Sequence, residues 1–535
     1  MNKKTKQKSG TAGPLIRTGK ISFYDVFLCL IGGILMALSF PKAGVFMLAW
    51  ICLIPLLFAI RDKAPAKASL LGLVFGLTAY IGILYWTVFP VSVYGGISVA
   101  LAVVFMLLLV SYISLYLGLF AAFVAWTRER LGLSVFVSAP VAFVFLEYLR
   151  SFIFTGFPWG LIGQSQLPWL TLMQVLDITG VFGVSFVVVA VNAGLFLAIE
   201  HLARRSGRFP LLETAVSALL VAVLVIYGIF AIKREQSIMR AGTPVEVALV
   251  QPNIRQDLKW DPNFQEESMR IYEEMTLESA PHKPSLVVWP ETATPFFFQN
   301  HPIFRPRVEE LPRRVGAPLL FGTPAYDDEA GTIKYYNRAY LLSEDGKIVG
   351  RYDKIHLVPF VEYVPMRRLF FFVDKLAKGA AGDFSKGTIT DPIVTGIGPV
   401  GTLICYEAIF PESARIFARN GACLLVNITN DAWFGTTSAP YQHFSMARMR
   451  SIETRLFLVR AANTGISTIV DPTGKDEIRT DIFTRTVALG EVIPKSRLTF
   501  YTRFGDVFAQ LITAVFFAPF IVHAYRLLEK KRRRK

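Results

Sequence analysis

Cysteine is scarce. The 535 residues hold four, Cys29, Cys52, Cys405 and Cys423, alongside six histidines. The first two cysteines lie inside apolar runs, so no disulfide framework of the kind that staples small secreted domains can be drawn through the set. Cys423, in "ACLLVNIT", reads as a small buried hydrophobe of a core strand, and a bridge from it to Cys405 stays open. Zinc-ligand spacing is missing, as is a glycine-rich loop able to cradle phosphates. Neither His356 nor His443 sits in a nucleophile-elbow context, which leaves Ser-His-Asp chemistry without an anchor. Neither a metal nor a cofactor is expected.

Acidic residues are also in short supply: 40 Asp and Glu against 56 Lys and Arg, for a net charge of +16. Clustered on one face, such an excess would neutralise nucleic-acid phosphates. Here it gathers in the tails, "MNKKTKQKSG" and "EKKRRRK", and in short turns between apolar runs, where positive charge reports membrane orientation instead. Nucleic acid is not an expected partner.

Apolar residues are abundant, at 53% of the chain with a mean hydropathy of +0.45. That exceeds the globular norm and points to membrane residence. Eight stretches come near the about 20 apolar residues that a spanning helix needs. They are residues 23–40, 43–60, 68–89, 97–127, 132–150, 179–200, 212–232 and 505–526. With the N-terminus inside, Arg61, Lys63, Lys67, Arg128, Arg130, Arg204, Arg205 and Arg208 all fall on the cytoplasmic side together with both tails. The opposite turns, around Pro41 and "FPVSVYGGIS", hold one lysine between them. Seven crossings then export the region after residue 233, and the eighth brings the chain back. No small-residue cleavage site follows the first run convincingly and another span comes at once, so an uncleaved first helix is expected rather than a signal peptide.

The expected organisation is a basic cytoplasmic tail (1–20), a seven-helix transmembrane domain (21–233), an extracytoplasmic α/β domain (244–495), a C-terminal transmembrane helix (505–526) and a second basic tail (527–535). One membrane segment, "LEYLRSFIFTGFPWGLIGQSQLPW", differs from the rest. Glu147 and Arg150 are three apart on one helix face and can pair. The Gly/Pro/aromatic stretch after them is too broken to span. It reads equally as an interfacial aromatic belt or as a re-entrant wall of a lipid-facing site.

From Val245 the pattern changes to short strand-length runs, among them "VEVALVQ", "SLVVWP", "PLLFGTP", "GTLICY" and "CLLVNIT", separated by polar helix-like stretches. Strand ends are where α/β proteins place chemistry. Glu291 ends "VVWPE", Lys354 and Glu362 lie in "GRYDKIHLVPFVEYVP", and Cys405 ends "GTLIC". Taken singly, the cysteine reads as buried filler, the glutamate as a solvated turn residue and the lysine as surface. Together they are a complete chemical set. A free thiol is mostly protonated at neutral pH, so a nucleophilic Cys405 needs a base, which Glu291 can supply. Attack on an ester carbonyl creates an oxyanion, which Lys354 and a backbone N–H near Cys405 would stabilise, with Glu362 holding the lysine or sharing the proton traffic.

"WPET", "YDKIHLVPFVEYVP" and "ICYEAIFPE", in this order, resemble the Glu-Lys-Cys triad motifs of the nitrilase superfamily, and "NDAWFG" with "QHFSMARMRSIETR" extends the likeness. Seven spans, such a domain and one further span, with "LEYLRSFIFTGFPW" ahead of the domain, resemble that superfamily's membrane-embedded branch, the apolipoprotein N-acyltransferase family of bacterial envelopes. The resemblance covers nearly the whole chain. It implies a polytopic α-helical membrane domain plus an extracytoplasmic α-β-β-α sandwich. It also implies ping-pong transfer of a fatty acyl chain from a phospholipid donor, through a cysteine thioester, to the α-amine of a diacylglyceryl apolipoprotein acceptor. Carried over, Glu291 is the base, Lys354 the oxyanion partner, Cys405 the nucleophile and Glu362 the supporting carboxylate. Tyr406, Glu407 and Trp260 are implied substrate contacts, although Trp260 reads equally as packing. Tyr148 and Val361 stand where relatives often have Trp and Gly. The implied location is the bacterial inner membrane with the catalytic domain in the periplasm, in contact with membrane lipid, and a monomer is expected.

A membrane-tethered nitrilase-type amidase would use the same triad on a small soluble amide, but eight spans are excessive for a tether. A transporter with a periplasmic binding domain would show paired repeats and deep intramembrane charges, of which the sequence has few. "RRLFFFVDKL", Arg367–Leu376, reads either as a lid dipping into the interface or as core.

Overall fold

The structure, a computed structural model, describes residues 19–204, 209–329, 331–364 and 383–533, so the Arg367–Leu376 stretch lies outside the described residues. Each of the eight apolar stretches contains a helix. Five helices among the described residues are long and apolar enough to cross a membrane: Pro65–Val93, Val99–Leu131, Val181–Arg204, Leu211–Arg240 and Val507–Arg532. The other three stretches form shorter helices, Phe23–Leu38, Phe46–Ile60 and Val135–Arg150.

Helix Leu211–Arg240 leaves Leu219, Val223, Ile226 and Phe230 exposed, and Val507–Arg532 does the same with Leu511, Val515, Phe517 and Ile521. An apolar exterior with no polar stripe is a surface made for lipid rather than water. Small residues bring the inner helices to backbone contact. A Cβ added at Gly72 would lie 2.3 Å from the Leu117 carbonyl oxygen, and one at Gly76 would lie 2.9 Å from the Ser114 Cα. That is how helices associate where hydrophobic burial offers little between them.

The broken segment after Arg150 folds inward. Residues 158–167 are buried, while Phe152 and Phe154 point outward. Non-helical backbone at membrane depth needs protein partners for its polar groups. Glu147 and Arg150 provide them, and here the expected pairing of the two is corrected. Glu147 Oε1 accepts from the Ile162 amide at 2.6 Å, and Arg150 donates to the carbonyls of Trp159 and Gly160 at 2.8 and 3.4 Å. Each charged group caps the unwound backbone instead of the other.

The α/β domain begins with β1 (Val245–Gln251), β2 (Leu286–Val288), β3 (Leu319–Glu329), β4 (Thr332–Leu342) and β5 (Ile348–Asp353). Then come β6 (Ile393–Thr395), β7 (Gly398–Ile404), β8 (Leu424–Thr429), β9 (Leu458–Ala462), β10 (Thr468–Val470), β11 (Asp476–Arg479) and β12 (Thr486–Val492). They make two six-stranded sheets, ordered β12-β1-β2-β3-β4-β5 and β11-β10-β9-β8-β7-β6. In each, three parallel strands form the middle (β1-β2-β3 and β7-β8-β9) and antiparallel strands flank them. Alternation along β1 shows the layering. Val247 and Leu249 join Val426, Ile428 and Leu403 of the second sheet in one core. Ala248 and Val250 face Met269, Tyr272, Val308 and Leu311 of helices Gln265–Glu278 and Phe304–Val315. Helices Pro411–Arg419 and Ala439–Thr454 pack on the second sheet through Phe417 and Ala447. The architecture is the expected α-β-β-α sandwich.

Helix Ala439–Thr454 has two buried faces. Ala447 belongs to the sandwich core, whereas Met446, Met449 and Ile452 belong to the core of the membrane helices. The lysine-poor turns meet the sandwich here: Gln442 donates to the Pro41 carbonyl at 2.8 Å, Lys42 to the Thr436 carbonyl at 3.3 Å, and Tyr94 to the Ala432 carbonyl at 3.3 Å. At the opposite end of helix Pro65–Val93, the basic turns draw together, with Lys63 2.6 Å from Asp25 and Arg204 3.8 Å from Asp62.

Arg455, 3% exposed, fastens the junction. Its guanidinium reaches Asp177 Oδ2 at 2.9 Å, Gln174 Oε1 at 2.5 Å and the Gln174 carbonyl at 2.9 Å, all on the membrane side. Removing one partner of a buried pair costs up to about 3–5 kcal/mol when the other charge is stranded, and here Asp177 would keep only Tyr227 and the half-exposed Arg234 at 3.5 Å. Arg455→Ala should therefore lower the thermal unfolding midpoint of the detergent-solubilised protein by several degrees. A midpoint equal to the wild type's would show that this pair does not fasten the two halves.

Candidate active site

Four strand ends open onto one edge of the sandwich. Two residues after β2 comes Pro290 and then Glu291, Lys354 follows β5 directly, Cys405 follows β7, and Asn430 and Asp431 follow β8. β2, β7 and β8 are parallel strands and β5 an antiparallel edge strand, and at each end the next residues leave the sheet while their backbone is still held by it.

Lys354 is 1% exposed, Glu291 6% and Glu362 7%. The ammonium lies 2.9 Å from Glu362 Oε1 and 3.5 Å from Glu291 Oε1. Burial alone would push this ammonium toward neutrality, but Glu362 and Glu291 outweigh burial and hold its pKa above the ordinary lysine range. Asn337 joins the carboxylates, with its Nδ2 donating to Glu291 Oε1 and Glu362 Oε1, both at 2.8 Å. The second oxygens have backbone donors: Asn430 N at 3.0 Å for Glu291 and Val358 N at 2.7 Å for Glu362. Both carboxylates are thus fixed in direction before any substrate arrives.

Cys405 is a free thiol, as are the other three cysteines, so the bridge to Cys423 does not form. Its backbone is left-handed, with φ +51°. Burial first and the neighbouring Glu291 charge second push the thiol pKa up, Lys354 and the Thr429 hydroxyl pull it down, and the upward push wins. The resting sulfur is therefore protonated at neutral pH. Nucleophilic work requires that its proton be taken as it attacks.

The remaining expected contacts separate. Tyr406 packs edge-on against Phe410, with ring centroids 5.1 Å apart, and feels the Lys354 charge. Trp260 is 51% exposed at the rim, beside Lys259. Glu407 was expected to touch substrate, and the structure corrects this. Its carboxylate accepts from Tyr352 Oη (2.7 Å), Ile355 N (2.7 Å), His356 N (3.1 Å) and Ile404 N (2.7 Å). Three of these donors converge on Oε1 and one on Oε2, and the residue is fully buried, so the carboxylate faces protein rather than an open site. Glu407 instead binds the Lys354 loop to the end of β7.

Two residues that the sequence did not single out belong to the site. Asn337 lies in mid-strand β4 with no motif around it. Lys259, 2% exposed, donates to the Glu291 carbonyl at 3.2 Å. Burial pushes its pKa down from 10.5 to about 8 against the pull of Glu291 and Cys405. Its adjacency to Trp260 in "QDLKW" was the available signal.

Comparison with known proteins follows the same division. Residues 246–497 match the carbon-nitrogen hydrolase family, and residues 32–194 match the apolipoprotein N-acyltransferase N-terminal domain. The apolipoprotein N-acyltransferase of Geobacter metallireducens is 46% identical over 487 residues, covering 91% of this chain and 92% of that protein. That of Methylococcus capsulatus is 36% identical over 489 residues, covering 90% and 92%. Among solved structures, the Caenorhabditis elegans NitFhit protein matches 51% of this chain and 64% of its own, at 21% identity and a TM-score of 0.38.

The geometry generates two predictions. Asn337→Ala releases Glu291 and Glu362 from their shared donor, and misplacement on the ångström scale costs about 100-fold in rate. Steady-state turnover of the folded variant should show that loss in kcat, and an unchanged kcat would remove Asn337 from the site. For Lys259, the folded pKa is lowered. Between about pH 8 and the unfolded value of 10.5 the unfolded chain holds a proton that the folded one has lost, so this group's contribution to stability rises with pH there. In melts at about pH 7 to about pH 10, the stability of the wild type relative to Lys259→Met should therefore climb. A difference independent of pH would contradict the burial argument.

Proposed function

Because the chain belongs to the apolipoprotein N-acyltransferase family, we propose that it transfers a fatty acyl chain from a membrane phospholipid, through a thioester on Cys405, to the α-amine of a lipidated N-terminal cysteine. Membership makes it an acyltransferase of lipoprotein biosynthesis. The observation that carries the finer reading is the buried Glu291–Lys354–Glu362 set acting on the Cys405 thiol at an edge of the sandwich that adjoins the membrane helices.

In the first half-reaction, Cys405 Sγ attacks the ester carbonyl of the phospholipid while Glu291 takes the thiol proton. The carbonyl oxygen becomes an oxyanion and lies toward the Lys354 ammonium, which bears charge without needing to reorganise. Collapse breaks the ester C–O bond, and the leaving alkoxide of the lysophospholipid recovers the proton from Glu291. In the second half-reaction, the acceptor amine attacks the thioester, Glu291 takes its proton, an amide forms, and the departing sulfur is reprotonated. Atoms and charge balance at each step with no further reactant.

A thioester in water is lost to hydrolysis, so the surroundings must keep water out. Trp86 against Phe434 (5.2 Å) and Tyr94 against Trp433 (5.0 Å) join membrane-side aromatics to the segment after Asp431. Such a wall suits acyl chains. Lysine-poor turns lie against the sandwich and basic turns lie at the opposite end of the helices, which supports a catalytic domain in the periplasm, both tails in the cytoplasm and residence in the inner membrane.

The test is intact mass of the full-length protein in detergent, incubated with phospholipid and no acceptor. One acyl chain should appear on Cys405, none on Cys405→Ser, and Lys354→Ala should acylate about 100- to 1,000-fold more slowly. Addition of a diacylglyceryl peptide should discharge the adduct as an amide. A wild-type protein that never carries the acyl chain, yet cleaves small amides, would replace this reading with an amidase.

A further inference from the structure

His443 lies in "QHFSMARMRSIETR", a stretch that extends the family likeness but supplies no group to the proposed chemistry, yet it touches the backbone of Cys405. The ring is 1% exposed, and its Nε2 stands 3.1 Å from the Cys405 carbonyl oxygen. A carbonyl offers only lone pairs, so Nε2 carries the proton and donates. On the ring's other side, Nδ1 lies 3.0 Å from Asp431 Oδ1 and 3.2 Å from Arg460 Nη2. Asp431 is fixed in turn by Thr429 Oγ1 at 2.9 Å and by Arg460 Nη2 at 2.7 Å. Burial would favour a neutral carboxyl at Asp431, but Arg460 and His443 hold its pKa well below the usual carboxylate range.

Cys405 needs such a hold. Its φ of +51° is a conformation that a residue with a side chain adopts only when its surroundings over-determine it. The N–H of the preceding residue, Ile404, is gripped by Glu407 Oε2 at 2.7 Å, and the cysteine's own carbonyl is gripped by His443. The two bonds bracket the strained residue. His443 is itself braced from the membrane side. Trp159 stacks on the imidazole with centroids 6.1 Å apart and planes 20° apart. The same Trp159 donates to Gln442 Oε1 at 2.6 Å, while Gln442 Nε2 donates to the carbonyls of Pro41 at 2.8 Å and Ile83 at 3.2 Å.

We propose that His443, held on its Nδ1 side by the Arg460–Asp431 pair, is a positioning residue for the acyl-accepting cysteine: its Nε2–H holds the Cys405 carbonyl and thereby keeps the left-handed turn that leaves the sulfur beside Glu291 and Lys354. This rests on the reading of Cys405 as the nucleophile. A histidine serving only the core would matter for folding and no further. A positioning histidine sets the rate of the step at sulfur in molecules that are already folded, and another side chain with an N–H in the same place substitutes for it.

The experiment follows acyl-enzyme formation on full-length protein in detergent, with phosphatidylethanolamine vesicles or mixed micelles as donor. Wild type, His443→Ala and His443→Gln are read by intact mass over time, and each rate is normalised to the folded fraction. Loss of position costs about 100-fold, so His443→Ala should acylate slower by that order at saturating lipid. The lipid concentration at half-saturation should move by less than about twofold, since a change confined to the maximal rate marks an interaction at the reacting step. His443→Gln, which can present an amide N–H to the carbonyl, should recover most of the rate. His443→Ala acylating at the wild-type rate, a loss confined to half-saturation, or a folded His443→Gln as slow as the alanine variant would each overturn the proposal. If His443→Ala does not fold, His443→Gln decides alone: near-wild-type acylation supports positioning, and slow acylation by folded protein refutes it. Wild-type protein that never acquires an acyl chain on Cys405 is a different result, because it removes the nucleophile reading and this proposal falls with it.

Discussion

A lysine ammonium shut away from water must have anions in contact with it, and much of the catalytic edge can be traced to that requirement at Lys354. Desolvating such an ion costs several kcal/mol even after the protein relaxes. Two carboxylates meet the demand, but two carboxylates side by side repel, and each must also be desolvated. Asn337 spans both, and Asn430 N and Val358 N take the outer oxygens. Each of these donors comes from a different segment: β4, the end of β8 and the loop after β5. Satisfying one buried cation therefore ties together parts of both sheets before any catalytic purpose is considered.

The same charges set the state of the sulfur. Glu291 raises the thiol pKa and Lys354 lowers it, and burial settles the balance toward the protonated form. A resting thiolate would be open to oxidation and to alkylation. On the proposed reading, a resting thiol beside a carboxylate base stays inert until an electrophile arrives, and the proton then leaves as the sulfur attacks. The strained backbone at Cys405 fits the proposed reading, because a nucleophile held through its own carbonyl and the amide of the residue before it need not reorganise during attack.

Much of this was legible in the sequence because strand periodicity and reactive residues coincide. Glu291 and Cys405 each follow an apolar run of strand length that becomes a parallel-sheet strand, and Lys354 lies in the hydrophilic turn that follows β5, so all three lie at strand ends on one edge of the sandwich. Asn337 was not legible: it sits in mid-strand β4, in "IKYYNRAYLL", where an asparagine looks like any polar residue of a half-exposed face. Glu407 is implied as a substrate contact only by the family pattern, and a 3-10 turn at Cys405–Ile409 swings its carboxylate back to the Ile404 amide at the end of the strand. Glu147 and Arg150 were paired from helical spacing alone. That spacing is real, but the break after Arg150 presents carbonyls at Trp159 and Gly160 and the first amide of a short 3-10 helix, Ile162–Gln166, and these outcompete the pair for both groups. Spacing rules see neighbours along the chain, and these errors arise from partners that arrive from elsewhere.

The junction explains why such a domain is built into a bundle rather than tethered to it. Helix Ala439–Thr454 contributes to the sandwich core on one face and to the membrane-helix core on the other, so neither half closes its core alone. A flexible tether would leave the distance from thiol to bilayer free to vary. Here Gln442, bonded to Pro41, Ile83 and Trp159, is the residue next to the histidine that touches Cys405. The chain from membrane helix to sulfur is thus only a few side chains long, each hydrogen-bonded or stacked. On the proposed reading, an acyl donor confined to the bilayer would have its depth set by its headgroup, and a thiol whose depth is set by the membrane helices would meet that ester at a fixed height, reducing the search from three dimensions to motion within the leaflet.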